Sequence, residues 1–235
     1  MNASAEATDG PHAGLPEIPL PHIGSDESGK GDYFGPLVVA AVLVDAATWP
    51  ELDALGVKDS KLFSDRRCRE LARGIREICR GKYEEVEVSP KRYNELYASF
   101  RRERKNLNHL LAWGHARAIE SLLERFSCTH AVADQFGDER YIRSRLMEKG
   151  KHLRLIQVPR GERYLAVAAA SILARDRFIA RMDKLSHGYG FELPKGASET
   201  VVIAGRRLVK EKGEEELGTI AKLHHKTTQK ILGKP

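Results

Sequence analysis

A chain of 235 residues that is 41% hydrophobic and 31% charged is long enough to bury one good core and is expected to be a single domain. No run approaches the roughly 20 apolar residues of a membrane span, and the start lacks the basic-then-apolar pattern of a signal peptide. Cys68, Cys79 and Cys128 show no metal-ligand spacing, which argues against a disulfide framework or a redox centre. The chain is therefore expected to be soluble and cytoplasmic. Its net charge of +6 falls after residue 22, because Glu6, Asp9 and Glu17 are the only formal side-chain charges before that point. Such an excess suits a polyanionic partner.

Residues 1–22 place Pro11, Pro16, Pro19 and Pro21 among small and polar residues, which predicts a disordered or extended leader. The stretch Ile23–Pro36, IGSDESGKGDYFGP, then crowds Asp26, Glu27, Lys30 and Asp32 among glycines. A short strand should end near Asp26, where charged residues and glycines no longer serve a sheet interior. Successive strand side chains point to opposite faces. Asp26 and Glu27 can share a site only if the backbone bends, as Gly29 and Gly31 allow. On the residues alone three readings stay open. A solvated hairpin turn suits the Asp, Ser and Gly content. A phosphate-binding loop suits Gly24 to Lys30, which fits G-x-x-x-x-G-K, but Gly31 stands where that loop needs Ser or Thr. A cation site suits the carboxylates, which would hold hard divalent ions that in turn meet a phosphate.

Leu37–Val44 reads as a continuous apolar strand, followed by a loop through Trp49 and Pro50. Ser64 is a good N-cap for a helix through Arg80, with Leu71, Ile75 and Ile78 at helical spacing and Gly81 as the stop. Lys82–Val88 alternates like a strand with one wet face, and Ser89-Pro90 opens a short helix. The basic run Arg101–Lys105 precedes a helix from about Asn108 to Phe126; the run is either a solvated surface or an edge that meets phosphates. His130–Ala133 is a short strand ending in Asp134, Arg143–Met147 is helical, and Leu153–Val158 is another strand. Tyr164–Lys184 is a long helix whose small residues, AVAAAS, suit close packing on a sheet. Ser198 caps a helix through Lys212, Gly213 ends it, and a last helical segment runs from Glu215 onward. This order describes an α/β layer fold, a mixed sheet covered by helices.

In such sheets sites gather at strand ends, where Asp26, Glu27, Asp134 and Glu162 all stand. Asp134 or Glu162 alone reads as a helix N-cap. Together the four would repel and raise one another's pKa, which points to bound metal. Two cations about 3.5–4 Å apart are a usual device for in-line displacement at a phosphodiester.

The segments DESGKGDYFGP, KDSKLFSD, DQF after a strand and LAVAAASILAR resemble the ribonuclease HII/HIII family, over about Ile23 to Leu232. The lysine of G-K-G, where ribonuclease HII relatives usually carry arginine, and the ending LPKGAS…AKLHHKTTQK favour the bacterial ribonuclease HIII branch. The resemblance implies a ribonuclease H-like mixed five-stranded sheet flanked by helices, with a C-terminal helical extension in a catalytic domain spanning 23–235. It implies endonucleolytic cleavage of the RNA strand of RNA/DNA hybrids with two Mg2+ or Mn2+ ions, leaving a 3′-hydroxyl and a 5′-phosphate. The implied acids are Asp26, Glu27, Asp134 and Glu162, the first three as metal ligands, with Asp138 as a rival fourth acid. Gly29, Lys30 and Gly31 would read the 2′-hydroxyl and backbone of the RNA strand, and Ser60, Lys61, Lys195 and Gly196 would contact the substrate backbone. Asp32 reads as a turn residue. No membrane contact and no obligate protein partner are expected. Family members usually carry a preceding substrate-binding domain similar to the TATA-binding protein, which 22 proline-rich residues cannot form. Ribonuclease HII relatives have a K-G-Y motif whose tyrosine senses an RNA–DNA junction; here it is Lys195-Gly196-Ala197, and the ring is missing.

Overall fold

The computed structural model describes residues 17–233. Most of the expected leader, residues 1–16, lies outside that range. Residues 17–22 are already part of the fold: Ile18 is buried against Val132, Tyr164 and Val167.

The strands are β1 (His22–Ser28) and β2 (Leu37–Val44), then, after helices α1 (Thr48–Leu55) and α2 (Asp65–Ile78), β3 (Tyr83–Val88). Helices α3 (Pro90–Arg102) and α4 (Leu107–Leu123) lead to β4 (His130–Asp134), the short α5 (Arg140–Arg143) and β5 (Arg154–Val158). The long α6 (Leu165–Tyr189) follows, then α7 (Glu199–Lys212), α8 (Leu217–Ile220) and α9 (Lys226–Leu232). The sheet order is β3-β2-β1-β4-β5. β1 and β3 flank β2 antiparallel, while β4 runs parallel to both β1 and β5.

The uninterrupted apolar run of β2 follows from its place between two covered faces. Val38, Ala40, Val42 and Val44 pack with α2 and α6, whereas Ala41 and Leu43 pack with α4, the two-residue alternation of a strand. The small residues of α6 let it approach β1 backbone to backbone. A Cβ on Gly24 would lie 2.2 Å from the Ala166 carbonyl carbon, so only glycine fits there. The C-terminal helices join the core on the α6 side, through Val201, Val202, Leu208, Ile220 and Ile231.

Several boundaries differ from the sequence expectation, each for a local reason. Trp49 and Pro50 lie inside α1, not in a loop. The Asp45 carboxylate accepts the Ala47 and Thr48 N–H groups, and proline is tolerated in a first helical turn, where its missing N–H has no partner to lose. The α3 helix is longer than expected and reaches Arg102. Arg143–Met147 is not a helix: α5 stops at Arg143, and the buried Glu120 carboxylate takes the Met147 and Gly150 N–H groups at 2.5 and 2.9 Å. Ser198 precedes α7, but its hydroxyl pairs with Thr200 rather than with a backbone N–H. No helix among the described residues is long and apolar enough to cross a membrane.

Candidate active site

The parallel register pairs Ser25 of β1 with Ala133 of β4, so Asp26 and Asp134, each one residue further, leave the sheet side by side. β1 continues through Glu27 to Ser28 rather than ending at Asp26, and the turn comes at Gly29, whose φ is +88°. A Cβ there would also strike the Pro36 carbonyl at 2.2 Å. A cavity of about 480 Å³ opens at this point. Asp26, Glu27 and Asp134 line it, together with Gly29, Lys30 and Gly31 and with Ser60 and Lys61. Eight of the eleven sequence-predicted site residues thus share one wall-to-wall space.

The carboxylates differ in electrostatics. Burial pushes the Asp26 carboxyl well above the usual range, the negative charges of Glu27 and Asp134 add to this, and hydrogen bonds from Ser171 and the Glu27 N–H oppose it. Burial also works against ionised Glu27, but the hydrogen bond and charge of His115, aided by Lys30, outweigh it and hold that carboxyl below its ordinary value. His115 is fully buried in α4. Its Nε2 donates to Glu27 Oε2 at 3.1 Å and its Nδ1 lies 2.9 Å from the Ser25 hydroxyl. Lys30 Nζ stands 3.6 Å from Glu27 Oε1 and 5.8 Å from the centre of the Phe136 ring, which also stacks on His115. Asp134 Oδ1 accepts the Gly161 N–H at 2.8 Å. Among the described residues no three His, Cys, Asp or Glu side chains stand gathered as a metal-binding group. Each of the three carboxylates is engaged by protein donors.

Three predicted residues lie off the cavity wall. Glu162 sits in the 3-10 turn Gly161–Arg163, next to the residue that anchors Asp134. Lys195 pairs with Asp65, whose other oxygen accepts from Arg175 at 3.0 Å. Gly196 donates its N–H to Asp32 Oδ1 at 2.6 Å and accepts from the Tyr33 N–H at 2.8 Å. Asp32 is thus more than a turn residue, because it ties the Gly29–Gly31 segment to Lys195-Gly196. The rival acid Asp138 is exposed, is bound to Arg140 on both oxygens and is held down to about 2 by it.

Sequence reasoning gave no role to His115, Ser171 or Arg175. Ser171 joins Asp26 to the Ser60 hydroxyl, 2.9 Å away, and Arg175 lines the cavity while donating to the Ser60 carbonyl. The i, i+4 spacing of Ser171 and Arg175 on one helix face was the available signal. His115 offered none, standing in an apolar helix. A larger groove of about 680 Å³ lies along the C-terminal half of α6, but Glu87 there is taken by Arg177 and Arg181 and Glu216 by Tyr189.

The ribonuclease HII family profile matches residues 23–228. The chain belongs to the ribonuclease HII/HIII family. It is 49% identical to the ribonuclease HIII of Protochlamydia amoebophila over 214 residues, which are 91% of this chain and 69% of that protein. It is 43% identical to the ribonuclease HIII of Chlamydia pneumoniae, over 94% of this chain and 73% of that one. Among solved structures it resembles Bst ribonuclease HIII, determined in complex with Mn2+, at a TM-score of 0.81 and 35% identity over 91% of this chain and 70% of that one. It resembles the ribonuclease H2 of Pyrococcus horikoshii at a TM-score of 0.76 and 25% identity, over 90% of this chain and 97% of that one. The sheet with its flanking helices is that of a ribonuclease H, and the chain is a ribonuclease H enzyme of this family.

Proposed function

We propose that this ribonuclease hydrolyses the RNA strand of RNA/DNA hybrids endonucleolytically, leaving 3′-hydroxyl and 5′-phosphate ends, with Mg2+ or Mn2+ as its cofactor. The observation that carries the reading is the convergence of Asp26, Glu27 and Asp134 on a cavity that also presents Lys30 and a glycine loop. Their hard oxygens suit these ions, and the repulsion that disfavours ionised Asp26 is what a cation among them would relieve. The Mn2+ complex of Bst ribonuclease HIII supports the choice. Asp26, Glu27 and Asp134 would hold two ions, with Glu162 completing the set. Bound there, they supply positive charge at the scissile phosphate and lower the pKa of an attacking water. The chain's own groups do the rest. Lys30 and Lys61 present cations to backbone phosphates, and His115 fixes the Glu27 carboxylate. At Gly31 the space where a Cβ would stand is open, so a ribose with its 2′-hydroxyl can approach the backbone. A labelled hybrid should lose its RNA strand only when Mg2+ or Mn2+ is added. An intact RNA strand under those conditions, or hydrolysis of ATP or GTP instead, would overturn the proposal.

Substrate choice follows from Ala197, which is exposed and has no ring to stack on a sugar. The tyrosines Tyr33 and Tyr189 are not free to supply the ring. Tyr33 is fully buried, with its hydroxyl 3.2 Å from Thr228, and Tyr189 donates to Glu216. Loss of one stack is worth about 1–3 kcal/mol. The enzyme is therefore expected to cut runs of ribonucleotides at least about 5-fold faster than a lone ribonucleotide in duplex DNA. Equal initial rates on two such substrates of matched length would refute this.

A further inference from the structure

The segment Gly29–Gly35 carries Lys30 into the cavity, and most of its backbone partners come from the C-terminal extension. Phe34 forms an isolated antiparallel bridge with Ala221. The Gly35 N–H donates to the Ile220 carbonyl at 2.9 Å, and the Lys222 N–H to the Tyr33 carbonyl at 2.8 Å. The side chain of Lys222 completes this clasp. It is fully buried, and its Nζ donates to the Gly35 carbonyl at 2.5 Å and towards that of Phe34 at 3.4 Å. The His225 ring hydrogen-bonds the Lys30 backbone, and Asn94 holds the extension in turn, donating to Gly218 and Ala221 and accepting from the Leu223 N–H.

A buried amine is an expensive way to fill space. A methionine or leucine would pack at Lys222 without a desolvated cation; burial pushes the amine down to about 7, with the charge of Asp32 acting against the shift. An amine at this position does what no apolar residue can, which is to bond two successive carbonyls of the neighbouring loop. Because Asp32 and Tyr33 of that loop also hold Gly196, both substrate motifs depend on one clasp.

We propose that Lys222 is a positioning residue for substrate binding, its buried amine locking Gly29–Gly35, and with it Lys30, to the C-terminal extension. The inference rests on the hybrid-cleaving reading of the cavity. Lys222→Met keeps length and an apolar stem but deletes the donor, whereas Lys222→Gln keeps one. On a labelled hybrid with Mg2+, Lys222→Met is expected to raise KM about tenfold with kcat within about twofold, and Lys222→Gln to recover part of the loss. Combined with Lys30→Met, it should add less to KM than it costs alone, because part of what it disturbs is the Lys30 contact. Amide hydrogen exchange at Tyr33 and Gly35 should quicken in Lys222→Met while Gly161 is unmoved, a readout that needs no substrate. Additive KM effects, an unchanged KM with only a lowered Tm, or unchanged exchange at Tyr33 and Gly35 would each overturn the proposal. If Lys222→Met does not fold, Lys222→Gln enters the same cycle with Lys30→Met under the same criteria. Failure of the unaltered enzyme to cut the hybrid would sink the parent reading instead, with the exchange experiment still deciding on the clasp.

Discussion

Asp134→Asn separates charge from shape. Asp134 Oδ1 accepts the Gly161 N–H at 2.8 Å, and a carboxamide oxygen accepts the same bond, so β4 keeps its anchor to the turn that carries Glu162. What disappears is one negative charge. Asp26 is held high first by burial, next by Glu27 and in smaller part by Asp134. Removing that charge lessens the repulsion an ionised Asp26 meets, so the change acts in favour of the folded state. Tm should therefore hold or rise rather than fall. Turnover goes the other way. Changes one layer removed from a metal ion already cost about 10–100-fold, and loss of a direct carboxylate should cost at least about 1,000-fold, roughly 4 kcal/mol of transition-state stabilisation. The assays are hybrid cleavage with Mg2+, hybrid binding at equilibrium, and thermal melts with and without Mn2+. Binding should persist, and the Mn2+-induced rise in Tm should shrink. Near-normal turnover, or a fall of several degrees in Tm without metal, would refute the reasoning.

Glu162→Gln should reduce cleavage far more than Asp138→Asn, since the Asp138 carboxylate is exposed and committed to Arg140; the reverse ranking in initial rates would relocate the fourth acid. His115→Leu deletes a buried hydrogen bond to a charged carboxylate, worth about 1.5–3 kcal/mol, and turnover should fall about 10–100-fold, with His115→Gln recovering part; wild-type turnover in the leucine variant would show that Glu27 needs no support. Burial of Asp45 is outweighed by Lys82 and the Thr48 N–H, which lower its carboxyl to about 2, so its contribution is complete above about pH 4 and is lost as pH falls from there towards 2. With solvent screening of this partly exposed pair the contribution is about 1 kcal/mol, and Asp45→Ala should lower Tm at neutral pH by about 2–4 °C, a gap that should close in acid; a gap independent of pH would assign it to packing.

The layers of the fold were legible because they rest on patterns with a period. Eight consecutive apolar residues can be buried on both faces only in a central strand, and Leu37–Val44 is one. Ser64 with its helical spacing gave α2. The errors fell where a side chain replaces a backbone partner. Asp45 starts α1 from before the helix, and Glu120, 27 residues before Met147, ends the turn after α5. The Asp45 contact spans two or three residues and is a local capping signal that Trp49-Pro50 masked, whereas local propensity contains nothing of the Glu120 contact.

The same distinction divides the site. Asp26, Glu27, Asp134 and the glycine loop stood out because charge and glycine at strand ends have no use in a core, whereas His115 and Lys222 are polar groups wholly inside one. A histidine in LLAWGHARA gives no hint that Ser25 and Glu27 lie on either side of it. A lysine near the C-terminus reads as solvated until its amine is found on the carbonyls of Phe34 and Gly35, 188 and 187 residues away. Asp32 makes the case in one residue. Its turn bond to the Gly29 carbonyl is local, long at 3.4 Å and predictable. Its carboxylate bond to the Gly196 N–H, at 2.6 Å across 164 residues, is the shorter one and joins two stretches that the proposed reading gives to a single substrate. The contacts of Asp32 and Lys222 set the spacing of stretches far apart in sequence, and the variants that break those two contacts should therefore act on substrate affinity before they act on the carboxylates.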